Sequence, residues 1–261
     1  MSDMADRAMH HISQWWLTAA VFISAALLWQ IGVVGLHVSA VVLPAPEAIL
    51  KTLIASPGYF LMQTWYTLVT TLAGFVAAAI VGTLISILIV EVKFLEKTLY
   101  TMIVALNSVP KVAIAPLFVI WLGTGSQPKI AIAFLIALFA VVIDTVLGLK
   151  SVPSDMLDLA HTLRGGRWDV FWRIRLPCAL PSMFAGLKVA VSLALVGAIV
   201  GEFVASDRGL GYVIMSAEGT FDTAQIFAAN TMLAIVGVIL FQIVGMAERR
   251  LIPWHHSQRG H

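Results

Sequence analysis

The sequence predicts an all-α, polytopic membrane protein, and three observations carry that expectation. Hydrophobic residues make up 60% of the 261-residue chain and charged residues only 11%, whereas a soluble domain carries about 25%. The stretches Thr52–Val90 and Thr223–Ala247 contain no Asp, Glu, Lys or Arg, and a bilayer-spanning helix needs roughly 20 such residues. The basic residues, finally, fall almost entirely on one side of the spans that these stretches define.

Six spans are expected, over about 15–36, 64–90, 95–122, 130–149, 183–204 and 225–247. Trp15 and Trp16 open the first, where an interfacial aromatic belt would sit. Between the first two spans, Pro46 begins a short helix reaching Leu53. The third span is interrupted by Pro110 and Pro116. An even number of spans puts both tails on one side. Arg7, Lys93, Lys97, Lys150, Arg164, Arg167, Arg173, Arg175, Arg249, Arg250 and Arg259 share that side, against Lys51, Lys129 and Arg208 on the other. Positive residues favour the cytoplasm, so both termini are expected there. The start of the chain lacks a basic region and a small-residue cleavage site, and reads as a retained cytoplasmic tail. The single cysteine, Cys178, excludes an intramolecular disulfide and a cysteine metal cluster.

The longest cytoplasmic loop, 150–180, is the most informative stretch. Asp155 is placed to cap a helix, with Asp158 three residues on. Met156, Leu159, Ala160 and Leu163 then recur at helical spacing and give one apolar face. Gly165-Gly166 ends that helix, and a second segment from Trp168 to Arg175 stops at Leu176-Pro177. An amphipathic helix outside the bilayer either rests on the lipid surface or docks into a groove on a partner.

Asp158-Leu159-Ala160-His161-Thr162-Leu163-Arg164-Gly165-Gly166, followed by Arg175-Leu176-Pro177-Cys178-Ala179-Leu180-Pro181, resembles the "EAA" loop of binding-protein-dependent ABC importer permeases. Asp158 stands where that loop has Glu, Leu159 where it has the first Ala, and Arg164 where it has Gly. Leu43-Pro44-Ala45-Pro46, Val109-Pro110-Lys111, Trp121-Leu122-Gly123 and Gly209-Leu210-Gly211-Tyr212 are similar to the branch serving nitrate, taurine and alkanesulfonates. The resemblance implies one transmembrane permease domain over 1–261, in a bacterial inner membrane. It implies a dimer, most simply of two copies, docked on a cytoplasmic ABC ATPase pair and receiving a small solute from an external binding protein. Asp158, Leu159, Ala160, Leu163, Gly165 and Gly166 would then couple to the ATPase. No phosphate-binding Gly-Lys-Ser/Thr loop occurs, so ATP and magnesium belong to a separate chain. Gly32, Gly35, Gly74, Gly82, Gly197, Gly201, Gly237 and Gly245 are expected at close helix contacts.

Ionisable residues at bilayer depth are functional candidates by default. Lys111 follows a helix-breaking proline and, with Asn107 and Ser108, either faces the solute path or pairs with Asp144. Asp144 lies about 9 Å along the helix from Lys150 and either forms a structural pair with Lys111 or Lys188 or faces the solute path. Lys188 itself is near enough to the interface to snorkel. Glu202 either gates the outer mouth or reaches interfacial water. No catalytic constellation and no metal-binding spacing occurs in the spans. A secondary transporter would need coupling acids or paired broken helices, and only one span is strongly broken.

Overall fold

The computed structural model describes residues 2–162 and 166–254, with the side chains of 2–15, 17–19, 93, 96, 97, 99, 100, 104, 159 and 161 outside the description. The described residues are helical and contain no strand. Four helical stretches are long and apolar enough to cross a bilayer: Pro57–Glu91, Ser126–Lys150, Arg167–Val204 and Thr223–Leu251. A fifth crossing exists if Thr101–Asn107 and Lys111–Leu122, bent by 82° at the break, form one span. The first expected span falls in α1 (Ser2–Gly35), whose described apolar part is Ala20–Gly35.

The chain divides into two compact units. One holds Met1–Phe60 and Val213–Thr231. Here α1 is followed by α2 (Pro46–Ala55), which starts at a proline pre-set for the first helical turn. The Glu47 N–H donates to Gln30 Oε1, Thr223 Oγ1 donates to the carbonyls of Ala40 and Val41, and the rings of Trp29 and Phe227 meet at 5.7 Å. Lys51 closes an ion pair with Glu47 one turn back and holds that carboxyl below its usual range.

The larger unit holds Leu61–Tyr212 and Met232–His261. Its centre is the contact between α6 (Ser126–Lys150) and α9 (Leu176–Val204). A Cβ on Gly201 would lie 2.8 Å from Lys129 Cα, one on Gly197 2.6 Å from Ala133 Cα, and one on Gly186 2.5 Å from Asp144 Cβ. At the other end, a Cβ on Gly148 would lie 2.8 Å from the Ala179 carbonyl oxygen. The pairing moves down α6 as it moves up α9, so the two helices are antiparallel, in one register, with their backbones nearly touching. Ala133, Ala137, Ala190, Ala194 and Ala198 fill the seam and are fully buried. Small residues permit this approach, and in lipid it is van der Waals contact that holds helices together. The long helix α3 (Pro57–Glu91) packs parallel to α6: Gly74 meets Ala133, Gly82 meets Val141, and Ser86 Oγ donates to the Val142 carbonyl.

Three expectations change. Gly74, Gly82, Gly197 and Gly201 do sit at close contacts, but nothing among the described residues lies within 4 Å of a Cβ on Gly32 or Gly35. Asp155 lies inside the first turn of α7 (Ser154–Thr162) and is not its cap. The segment after the glycine pair does not stop at Leu176-Pro177. It runs from α8 (Arg167–Val170) through a π turn, Phe171–Arg175, straight into α9. In that turn the Leu176 N–H bonds the Phe171 carbonyl, five residues back. The widened turn accommodates Pro177, which has no N–H and would crowd an ordinary helical turn.

Gly197→Val should destabilise the purified protein by roughly 1–3 kcal/mol or more, because the added methyls meet backbone. Gly32→Ala should be neutral or stabilising, since Ala is favoured over Gly in a helix by about 1 kcal/mol. Thermal unfolding in a neutral detergent distinguishes the two.

Candidate functional site

α4 (Lys93–Asn107) ends where Pro110 removes an N–H and forces Val109 away from helical geometry. A 3-10 turn, Lys111–Ile114, then leads into α5 (Ala115–Leu122). In an unbroken helix the Lys111 N–H would bond the Asn107 carbonyl. Here the Lys111 ammonium takes that role, donating to Asn107 O at 3.0 Å and to Asn107 Oδ1 at 2.7 Å. It also lies 4.5 Å from the centre of the Phe139 ring, a cation–π distance. Asn107 and Ser108 are exposed on the chain and Lys111 is half-buried. Lys111 therefore does not pair with Asp144.

Lys188 also avoids Asp144. It forms an ion pair with Glu248 of α11 (Thr223–Leu251), and both side chains are largely covered, at 25% and 15% exposure. Reaching out to the interface is thus replaced by a partner on the neighbouring helix. Asp144 itself faces Gly186 across the α6–α9 seam, and among the described residues it forms no ion pair.

Glu202 does not reach interfacial water: it is 2% exposed. Its Oε2 accepts from Thr67 Oγ1 at 3.0 Å and from the Gly211 N–H at 2.8 Å. Thr67 Oγ1 in turn accepts the Leu210 N–H at 2.8 Å, and Gln63 Oε1 accepts the Gly209 N–H at 2.7 Å. Gly209 has φ +104°, and a Cβ there would lie 2.3 Å from the Glu202 carboxylate. Only glycine satisfies both the backbone angle and the space. The network lashes the start of α10 (Leu210–Gly219) to α3 and α9.

Beside this network opens a cavity of about 860 Å³, lined by Trp65, Tyr66, Thr70, Lys129, Glu202 and Arg208, among others. Lys129 is 7% exposed and its ammonium donates to Ser206 Oγ at 2.6 Å. Arg208 donates from Nη1 to Tyr66 Oη at 3.1 Å, stacks 5.2 Å from that ring's centre and meets Asp207 at 3.3 Å. The hydrogen bond to Tyr66, then the charges around it, raise the guanidinium pKa further. Sequence reasoning counted Lys129 and Arg208 only as loop charges. Their signal was position: Lys129 opens a span, and Arg208 precedes Gly209-Leu210-Gly211.

At the far end of α6 and α9, α7 follows α6 directly. Met156 and Asp158 are exposed, but Ala160 is 8% exposed, covered by the chain itself. Gly166 adopts φ −63° and ψ 154°, an extended conformation open to any residue. Leu163 and Gly165, expected on the same face and at the helix stop, lie outside the described residues. Arg167 and Arg175 both reach Glu91 at the end of α3, at 3.4 and 3.6 Å. Among the described residues no group of His, Cys, Asp or Glu is arranged to hold a metal ion.

Apolar helices around a small-residue seam, with a cavity carrying Lys129 and Arg208 at one end and a short helix between spans at the other, are the architecture of a polytopic membrane protein. Residues 74–253 match the family described as binding-protein-dependent transport system inner membrane component. The chain belongs to that family and is an ABC transporter permease subunit for small solutes, a transport component and not an enzyme. It is 34% identical over 233 residues to the riboflavin transport system permease protein RibX of Chloroflexus aurantiacus, covering 88% of this chain and 87% of that one. It is 34% identical to the putative aliphatic sulfonates transport permease protein SsuC of Bacillus subtilis, covering 89% and 85%. It is 31% identical to the taurine transport system permease protein TauC of Escherichia coli, covering 87% and 85%. Among solved structures, an inward-facing MetNI methionine ABC transporter chain shares the fold, with TM-score 0.63, 17% identity, and coverage of 76% and 97%.

Thr67→Val removes the donor to Glu202 and the acceptor for Leu210 N–H together. It should cost about 1–3 kcal/mol, the range for a buried polar group left unmatched. Thr70→Val, which loses only bonds to helix carbonyls, should cost much less. Chemical denaturation of both variants in detergent checks the difference.

Proposed function

We propose that this chain forms half of the translocation pathway of an ATP-driven importer in a bacterial inner membrane. In this reading two copies of the chain pair, each docked on a cytoplasmic ATPase that holds ATP and magnesium. A separate binding protein delivers the solute from outside. Six spans with both termini cytoplasmic complete the topology. The solute is a small organic or inorganic anion such as a sulfonate or nitrate.

The observation that carries the reading is the placement of α7. It joins α6 to the α8–α9 helix, the two helices in closest backbone contact, and the cavity opens at their opposite ends. A push on α7 therefore reaches the cavity along the closely packed α6–α9 pair. Asp158, Leu159 and Leu163 supply the ATPase contact, Ala160 seats that helix on the chain, and Gly165 and Gly166 supply the turn. Lys111, with Asn107 and Ser108 at the proline break, faces the pathway; broken backbone at bilayer depth is tolerated where it lines protein or water. Asp144 and Glu202 line or support the same path.

Because Ala160 is covered by the chain while Met156 stays 45% exposed, Met156→Asp tests docking without disturbing the fold. ATPase copurification and solute-stimulated ATP hydrolysis should fall at least about tenfold, as for loss of a central interface contact, while membrane insertion stays normal. Unchanged ATPase yield and stimulation would remove α7 from the coupling role. Native mass spectrometry of the whole assembly should give two copies of this chain with two ATPase subunits; one copy beside a different permease would mean a heterodimer. Lys111→Met should reduce transport more than it reduces ATP hydrolysis or assembly, read from uptake into vesicles and ATPase rates on the same preparation.

A further inference from the structure

The cavity beside Glu202 has more hydrogen-bond donors than the chain can use. An ammonium carries three N–H donors, and Lys129, 7% exposed, gives one of them to Ser206 Oγ. Ser206 can take no second. Its hydroxyl donates to the Arg208 carbonyl and already accepts the Arg208 N–H at 3.2 Å as well as the Lys129 proton. Two ammonium protons of Lys129 thus have no hydrogen-bond partner among the described residues. Arg208 uses Nη1 on Tyr66 and Nε toward Asp207, and its Nη2 has no partner among the described residues.

Acceptors nearby are mostly committed. Glu202 Oε2 already accepts two bonds, which leaves Oε1 to offset part of the Lys129 charge across the cavity. The Asp207 carboxylate is engaged by Arg208 and is 78% exposed. A covered cation with open donors is costly unless something accepts from them. Trp65, Tyr66 and Val69 give the same cavity an apolar wall, and its volume falls within the roughly 300–1,000 Å³ of small-molecule sites.

We propose that this cavity is an oxyanion-binding site: Lys129 Nζ and Arg208 Nη2 take the oxygens of a carboxylate- or sulfonate-type group, and the body of the solute lies against Trp65 and Tyr66. The proposal deepens the reading of the chain as an importer path, which it needs for its biological meaning. It places a holding site at the end of α6 and α9 remote from α7, reached before the proline break. Glu202 is a positioning residue there. By accepting the Gly211 N–H and the Thr67 hydroxyl, it helps Gln63 and Thr67 hold the turn that keeps Ser206 and Arg208 over Lys129.

The test uses the full chain alone, purified in an uncharged detergent, with benzenesulfonate as the probe and benzyltrimethylammonium as the same-sized cation. Saturation-transfer NMR should show saturable binding of the sulfonate and none of the cation. Lys129→Met and Arg208→Gln should each weaken binding at least about tenfold, the loss expected for a charge-assisted hydrogen bond. Lys129→Arg should keep binding within about threefold, since it restores the charge and donors. Arg208 is exposed at the surface, so Arg208→Gln gives a result even if Lys129→Met does not fold. No saturable sulfonate binding, equal binding of the cation, or unchanged affinity in Arg208→Gln would overturn the site. The ATPase takes no part in this measurement, so failure of the importer reading in the copurification experiment would leave its outcome unaffected.

Discussion

The near-contact of α6 and α9 is the constraint on which the rest of the larger unit depends. In lipid, burying a leucine against another helix gains little over burying it in acyl chains, so association rests on close packing. The alternation of Gly and Ala along α9 lets its backbone meet α6 at Lys129, Ala133 and Asp144. Once that register is set, both ends of the pair are determined. One end carries α7 and the π turn; the other carries Lys129, Glu202 and the cavity. Any larger side chain in the seam would separate the helices and disturb both ends together.

Most charges at depth in the spans find a local partner, and Asp144 is an exception among the described residues. Lys111 caps the carbonyl its own proline break leaves open, Lys188 meets Glu248, and Glu202 collects the donors of Thr67 and Gly211. These pairings stiffen distinct places: the break, the α9–α11 contact, and the loop that closes the cavity. Lys129 departs from this pattern. Its single hydrogen bond to Ser206 leaves capacity that a structural role does not use.

The two ends have different mechanical characters. Around α7, arginines reach across to Glu91 while Met156 and Trp168 stay exposed, a surface suited to contact with another chain. Around the cavity, backbone N–H groups of Gly209, Leu210 and Gly211 are all bonded to side chains of α3 or α9, so the loop moves only with those helices. A rigid pair joining a docking surface to a tethered cavity is the geometry through which a distant push acts without being absorbed.

The sequence by itself determined that the chain is helical and lives in a membrane, because charge-free length and composition are local properties that the bilayer selects directly. It also determined the family, through the loop beginning at Asp158, and located the break at Pro110, because proline acts on its own backbone. Partner choice was not legible. Lys188 meets Glu248 and not Asp144, Glu202 is buried and does not reach interfacial water, and Lys129 is a cavity residue and not a loop charge. Each of these depends on how helices are rotated and aligned against one another. The continuous path through Leu176-Pro177 depends likewise on a π turn that local pattern does not announce. Only tertiary packing sets rotation and register, since a side chain's neighbours across a helix contact come from parts of the chain that local periodicity never compares.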